Sequence, residues 1–391
     1  MIMLSIDTVK PGMKIGKAIF AEDGQMLIGK GVIINEHYTR RLKSRGVSSI
    51  SIYDKDTEDI EPLENISDMV RGSTLRDVRK LFDTFDDITK EMKGESLDAV
   101  TTAITSKQFL DTFRNNPAFT QLQKDVDNIV NELINGEVTL GLNSIKTYDN
   151  YTFQHSIDVS MVAVMIGRRI GLNKKRLKEL GIGCLLHDIG KVFVPVEIVN
   201  KPDKLTKDEF EIIMRHATIG YELTKGVATI GILPPHVAFQ HHEKQDGSGY
   251  PRGITGNNKL AFSSEPRTIH LYGAITAVAD IYDALSSDRP YRKAMQPEKV
   301  IKILQEMKEI HLNKEVLRHF FAITPVYPVG STIMIMNGEY QRYLGIVCQT
   351  HNDALERPTV RMVFNNLKKR IQPFDLDMRD HEDIRIESRL I

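Results

Sequence analysis

Tryptophan is absent from these 391 residues, cysteine occurs twice, and charge of either sign is lacking in excess, with 52 Lys+Arg against 52 Asp+Glu. Two cysteines, Cys184 and Cys348, cannot build the disulfide framework of a small secreted fold. Set among apolar neighbours, they read as reduced core residues of a cytoplasmic protein. A formal net charge of zero argues against a long, unspecific nucleic-acid surface, while leaving room for a local basic pocket. Apolar stretches such as Val159 to Gly167 fall well short of the ~20 residues a membrane span needs. The opening Met-Ile-Met-Leu-Ser-Ile-Asp has no basic segment before an apolar run, so no signal peptide is visible. No internal repeat or low-complexity segment interrupts the chain. What is present is ample core material, 41% hydrophobic residues with 27% charged. The length exceeds what a single core organises, so two or more domains are expected.

Residues 1 to about 60 alternate apolar residues with glycines. Met13-Lys14-Ile15, Met26-Leu27-Ile28 and Ser49-Ile50-Ser51-Ile52-Tyr53 read as short strands, with a turn at Glu22-Asp23-Gly24 and a helix over Asn35 to Ser44. The acidic stretch Asp54 to Glu64 marks a boundary. Leu75, Val78, Phe82, Phe85, Ile88 and Met92 then recur at helical spacing, as do Phe119, Leu122, Val126, Ile129, Val130 and Leu133. Both stripes read as core; the heptads are too short and interrupted to favour a dimer seam. From 137 to 325 the pattern is a chain of helices. Thr206 to Glu209 fits a capping box, Pro234-Pro235 opens a helix expected to carry His241 and His242, and Ala274 to Leu285 is apolar on most faces. After a last helix over Lys314 to Ile323, Ser331 to Met336, Leu344 to Thr350 and Val360 to Val363 read as strands. The expected fold is mainly α: a helical catalytic bundle flanked by small β-containing terminal domains. The expected divisions are 1–62, a helical packing region 63–136, the bundle 137–325 and a β-rich 326–391.

Five histidines and three aspartates fall within that helical segment: His155, the adjacent His187-Asp188, His216, the pair His241-His242, and Asp280 with Asp283. One histidine on a helix is ordinary. Several apolar helices that each bring a His or Asp inward would leave costly unsatisfied groups unless something binds them. Imidazole and carboxylate without thiolate suit iron, manganese or zinc.

The ordered motifs His187-Asp188-Ile189-Gly190-Lys191, His241-His242-Glu243 running into Asp246-Gly247-Ser248-Gly249-Tyr250-Pro251, and Ala279-Asp280-Ile281-Tyr282-Asp283-Ala284-Leu285 with Asp288-Arg289-Pro290-Tyr291-Arg292 resemble the HD-GYP family of HD phosphohydrolases. The resemblance covers roughly 137 to 325. It implies an all-helical cyclic di-GMP phosphodiesterase with a multinuclear metal site, usually iron, that forms pGpG and in some cases GMP. On that resemblance His155, His187, Asp188 and Asp280 hold one ion. His216, His241 and His242 add three ligands for a second, and Asp188 bridges. Neighbouring helical residues point about 100° apart, so His241 and His242 should not serve one ion in the same way. Two divalent ions, iron with manganese as the alternative, account for all seven. A water bridging them would be the nucleophile.

Lys191, three residues after Asp188, is expected to neutralise phosphate or assist the leaving group, which makes it and Asp188 the catalytic pair. Asp283 should face the same cavity. Arg289, Arg292 and Lys293 form a basic cluster suited to phosphate or a guanine edge, and Tyr250 is a candidate base-stacking residue. Tyr151, one turn before His155, stands where some family members carry a glutamate that helps hold a third metal, which favours two ions here. The stretch Ile254 to Ala277 is longer than usual and suggests a lid or a partner contact. Two rival readings stay open: hydrolysis of another cyclic dinucleotide or nucleotide, and a nucleotide-responsive scaffold with little turnover. The terminal domains and the insertion are candidate protein contacts, a homodimer is one option, and neither long nucleic acid nor a membrane span is expected.

Overall fold

The computed structural model describes residues 1–20, 26–45, 47, 49–93, 95–141, 151–260, 267–287 and 294–389. Its N-terminal elements are β1 (Ile2–Ser5), β2 (Ile19–Phe20), β3 (Met26–Ile28), α1 (Glu36–Ser44) and β4 (Ser49–Ile52). β4 returns antiparallel to β1, with Ile2 opposite Ile52 and Ser5 opposite Ser49, and β2 pairs with β3. Met13-Lys14-Ile15 is not a strand. Lys14 and Ile15 make only single bridges, to Ile33 and Ile52. Asn35 caps α1 rather than joining it, its side chain accepting from the Tyr38 N–H.

The two apolar stripes lie on α2 (Asp68–Thr89) and, after the short α3 (Leu97–Ile104) and α4 (Lys107–Arg114), on α5 (Ala118–Asn135). Leu75, Val78, Phe82 and Phe85 of α2 and Phe119, Leu122, Val126, Ile129, Val130 and Leu133 of α5 are buried. They share one core with residues of α6 (Tyr151–Ile170), α7 (Lys174–Leu185), α9 (Lys207–Thr224), α10 (Pro234–Gln240), α11 (Leu271–Ser286), α12 (Pro297–Glu306) and α13 (Lys314–Phe321), while the short α8 (Val196–Val199) buries no residue. Within the described residues this is core packing, as the interrupted heptads suggested. A buried ion pair, Arg71 to Asp158 at 2.7 Å, ties α2 to α6.

The capping box at Thr206 and Glu209 starts α9. The helix opened by Pro234-Pro235 ends at Gln240, so His241 is its cap and His242 follows it, which corrects the expectation that both lie within the helix. Part of the long stretch Ile254 to Ala277 is regular structure. Residues 271–277 are the first turns of α11, and the flank before residue 261 is tied down, with Asn258 accepting from the Lys314 N–H at 2.9 Å.

The C-terminal strands β5 (Thr332–Ile335), β6 (Leu344–His351), β7 (Ala354–Phe364), β8 (Arg370–Asp377) and β9 (Ile386–Ser388) form one antiparallel sheet in the order β8-β7-β6-β5-β9. Ile346 and Val363 of this sheet are buried in the same apolar cluster as Leu4, Ile15, Ile19, Ile50 and Ile52, so the two ends of the chain pack on each other. The acidic stretch expected as a boundary forms part of that contact: Asp59 pairs with Arg361, while Asp54 and Asp56 pair with Arg370. Among the described residues no helix is long and apolar enough to cross a membrane.

Candidate metal centre

Five pieces of chain converge on the site. α6 supplies His155. The turn after α7 supplies His187 and Asp188, and the short 3-10 helix Ile189–Phe193 supplies Lys191. α9 supplies His216, the turn that closes α10 supplies His241 and His242, and α11 supplies Asp280 and Asp283. The 3-10 turn can press against α9 only because residue 190 is glycine. A Cβ there would stand 2.1 Å from the His216 carbonyl oxygen.

Asp188 lies at the centre. Its Oδ2 is 3.4 Å from His187 Nε2 and 3.9 Å from His155 Nε2. Its Oδ1 faces the other way, 3.4 Å from His216 Nε2 and 3.9 Å from His241 Nε2. The ligand-type atoms of His155, His187 and Asp188 lie within 4.8 Å of one another, and so do those of His216, His241 and His242. Asp280 joins the first group through His155, Oδ1 to Nε2 at 3.1 Å.

Four of the five imidazoles are oriented from behind. His187 Nδ1 is 2.7 Å from the Cys184 carbonyl, His216 Nδ1 2.5 Å from that of Ile213, and His241 Nδ1 2.9 Å from that of Ala238. A carbonyl only accepts, so Nδ1 carries the proton and Nε2 presents its lone pair to the site. His155 Nδ1 meets Asp283 Oδ2 instead, at 2.7 Å. Asp283 is therefore placed behind His155, 1% exposed, and holds Ser287 as well. This corrects the expected substrate contact: one turn beyond Asp280 brings both carboxylates to the same imidazole, on opposite nitrogens.

Burial sets the electrostatics. It pulls His216 down to about 4 and His242 to about 3, and holds His187 and His241 below the usual range. Burial pushes His155 down too, but its hydrogen bonds to Asp280 and Asp283 outweigh that and raise it to about 8. Burial raises Asp188 and Asp280, yet the surrounding imidazoles, with Lys191 beside Asp188, hold both well below the carboxylate range. Lys191 Nζ donates to Asp188 Oδ2 at 2.6 Å while its side chain keeps 28% of its exposure.

The residues fit metal ions. Buried His187 Nε2 and Asp188 Oδ1 have no hydrogen-bond partner, and the Nε2 lone pairs of His216 and His241 face each other at 3.3 Å. The neutral imidazoles of His187, His216 and His241 beside ionised carboxylates are a donor set that suits divalent cations.

Tyr250 lies against His242, ring centres 4.6 Å apart and planes tilted by 32°, so it stands at the wall of the imidazole group. Its loop is clamped by Glu243, a buried carboxylate that accepts from the Arg252 and Ile254 N–H groups at 2.8 and 3.0 Å. Sequence reasoning gave Glu243 no role; only its place next to the paired histidines hinted at one. Arg289, Arg292, Lys293 and the Tyr151 side chain lie outside the described residues.

The HD domain family model matches residues 132–316. A cyclic di-GMP phosphodiesterase of Pseudomonas aeruginosa is 35% identical over 230 residues, 59% of this chain and 52% of that protein. A cyclic di-GMP phosphodiesterase of Thermotoga maritima is 35% identical over 197 residues, 49% of this chain and 51% of that one. The 3'3'-cGAMP-specific phosphodiesterase 1 of Vibrio cholerae is 36% identical over 163 residues, 42% of this chain and 35% of its own length. The chain spans about half the length of the first two of these curated relatives. The matched stretch, residues 132–316, contains all of the site's histidines and aspartates.

Proposed function

We propose that this protein is a metal-dependent phosphodiesterase that opens cyclic di-GMP to pGpG and carries part of it on to GMP. The observation that carries the reading is the division of Asp188 between two ligand groups, one carboxylate oxygen toward each. His155, His187 and Asp280 would hold one divalent cation, and His216, His241 and His242 a second, with Asp188 shared. Iron is the proposed metal, with manganese as the alternative. When bound, such ions supply Lewis-acid neutralisation of a phosphodiester and a lowered pKa for water.

The chain's own groups do the rest. Asp283 holds the proton on His155 Nδ1 and so aims Nε2 inward. The carbonyls of Cys184, Ile213 and Ala238 do the same for His187, His216 and His241. Lys191, poised between Asp188 and solvent, offers a positive charge to a non-bridging phosphate oxygen and a proton to the departing ribose oxygen. Arg289, Arg292 and Lys293 are proposed to hold the dinucleotide's second phosphate and a guanine edge, and Tyr250 to bound the base side of the pocket.

The cGAMP-specific relative at 36% identity favours one further reading, a mixed-base cyclic dinucleotide on the same site. The deciding experiment is elemental analysis of anaerobically purified protein, followed by product identification from cyclic di-GMP and 3'3'-cGAMP side by side. About two metals per chain and pGpG from cyclic di-GMP are expected. Preferential cleavage of 3'3'-cGAMP would move the substrate assignment, and no cleavage of either by metal-loaded protein would overturn the activity.

A further inference from the structure

Phe210 sits in the first turn of α9, six residues before His216, and is 45% exposed. Its ring meets Tyr250 edge to face, centres 6.0 Å apart at 83°. Tyr250 in turn lies on His242 at 4.6 Å and 32°, and edge-on to His216 at 6.4 Å and 80°. A file of rings therefore runs from the imidazole group outward and ends in an open aromatic face. Two ring contacts separate Phe210 from His242, which places it within a nucleotide's reach of a phosphate held at the histidines. The inner members of the file are fixed, because Glu243 clamps the loop that carries Tyr250.

From this geometry we infer that Phe210 is a substrate-binding residue: the plane on which a purine base of the scissile dinucleotide stacks. The inference rests on the phosphodiesterase reading above and adds the residue that receives the base. Every purine presents a flat π-face, and a phenyl ring already positioned by its neighbours receives it with little loss of side-chain freedom. A packing role alone is the competing account. Leu205 and Phe210 occupy the N′ and N4 positions about the Thr206 cap, where a hydrophobic staple would ask for an apolar residue at 210 but not for a flat one.

That difference is the test. In metal-loaded protein, Phe210→Leu keeps the staple and loses the plane. It should raise KM for cyclic di-GMP about fivefold to tenfold with kcat within about twofold, while inhibition by inorganic phosphate, which needs no base contact, stays unchanged. Phe210→Tyr should restore the wild-type KM. Because the chain contains no tryptophan, Phe210→Trp introduces a single indole. Its fluorescence should change saturably on rapid mixing with cyclic di-GMP and stay constant with inorganic phosphate. An unchanged KM in Phe210→Leu, or an indole blind to saturating cyclic di-GMP, in an enzyme whose wild type cleaves that substrate, overturns the stacking role alone. A wild-type protein that neither binds nor cleaves any cyclic dinucleotide overturns the phosphodiesterase reading and the stacking role together.

Discussion

Asp125 on α5 and Asp188 at the candidate metal centre are each 1% exposed, yet burial has opposite outcomes at the two. At Asp125 burial is the largest influence, the nearby Asp77 charge adds to it, and the carboxyl is pushed up to about 6. At Asp188 burial acts in the same direction but is overcome by His187, Lys191, His216 and His155, and the group stays ionised far below its ordinary range. Desolvation alone makes a buried carboxylate neutral; a converging set of nitrogen donors keeps it charged. The contrast separates an aspartate the core merely tolerates from one that the surrounding fold is arranged to keep charged.

The hardest way to break the comparison is to remove the central carboxylate. Asp188→Ala should abolish turnover, by about 10³-fold or more, and strip metal from both groups, measured by elemental analysis alongside far-ultraviolet circular dichroism to confirm folding. Retained metal and activity would mean the centre lies elsewhere. His242→Ala acts on one group only and should cost about one ion per chain while the carboxylate-rich group keeps its own; anomalous scattering at the metal edge would show which peak is lost.

Asp283→Asn tests whether the carboxylate behind His155 matters through that imidazole. Metal affinity is expected to fall about 10-fold to 100-fold, as for other residues that orient a ligand, with the protein still folded. Competition with a fluorescent chelator reads this directly. Lys191→Ala should lower kcat about 10-fold to 100-fold and leave KM within about threefold, because the charge is needed most as the leaving oxygen departs; a rise in KM alone would make it a binding group.

The smallest effect belongs to Asp125. Its folded pKa of about 6 lies above the unfolded value near ~3.9, so the folded state holds a proton the unfolded chain has already released between those limits. Stability contributed by the neutral acid is therefore full below about pH 4 and lost as pH rises through 6. Asp125→Asn should raise stability by about 1–2 kcal/mol at pH 8 and by nothing measurable at pH 4, read as the shift in urea midpoint. An equal gain at both values would point to packing rather than charge.

The candidate residues were legible because metal chemistry restricts residue type, and His and Asp recur on or beside otherwise apolar helices, where burying them unsatisfied is costly; that they ligate metal is the proposal above. The role of Asp283 was not legible. Helical spacing placed it on the face of Asp280, but the His155 ring that stands between it and the site comes from a helix 128 residues away. Phe210 was equally silent, since an aromatic in an amphipathic helix reads as core until its exposure is known. The paired histidines were placed one element too far in, because the sequence carries no signal that α10 stops at Gln240 before its cap.

The sequence by itself determined the mainly helical fold, the buried stripes of α2 and α5, and the residue types of the candidate metal centre, because periodicity and ligand chemistry are local properties. Tertiary structure alone decided which oxygen of Asp188 faces which histidines, and that Asp283 supports an imidazole. It alone decided, too, that Ile346 and Val363 share a core with the first strands. Each of these depends on segments brought together from distant parts of the chain, and proximity of that kind leaves no mark in the local pattern of either partner.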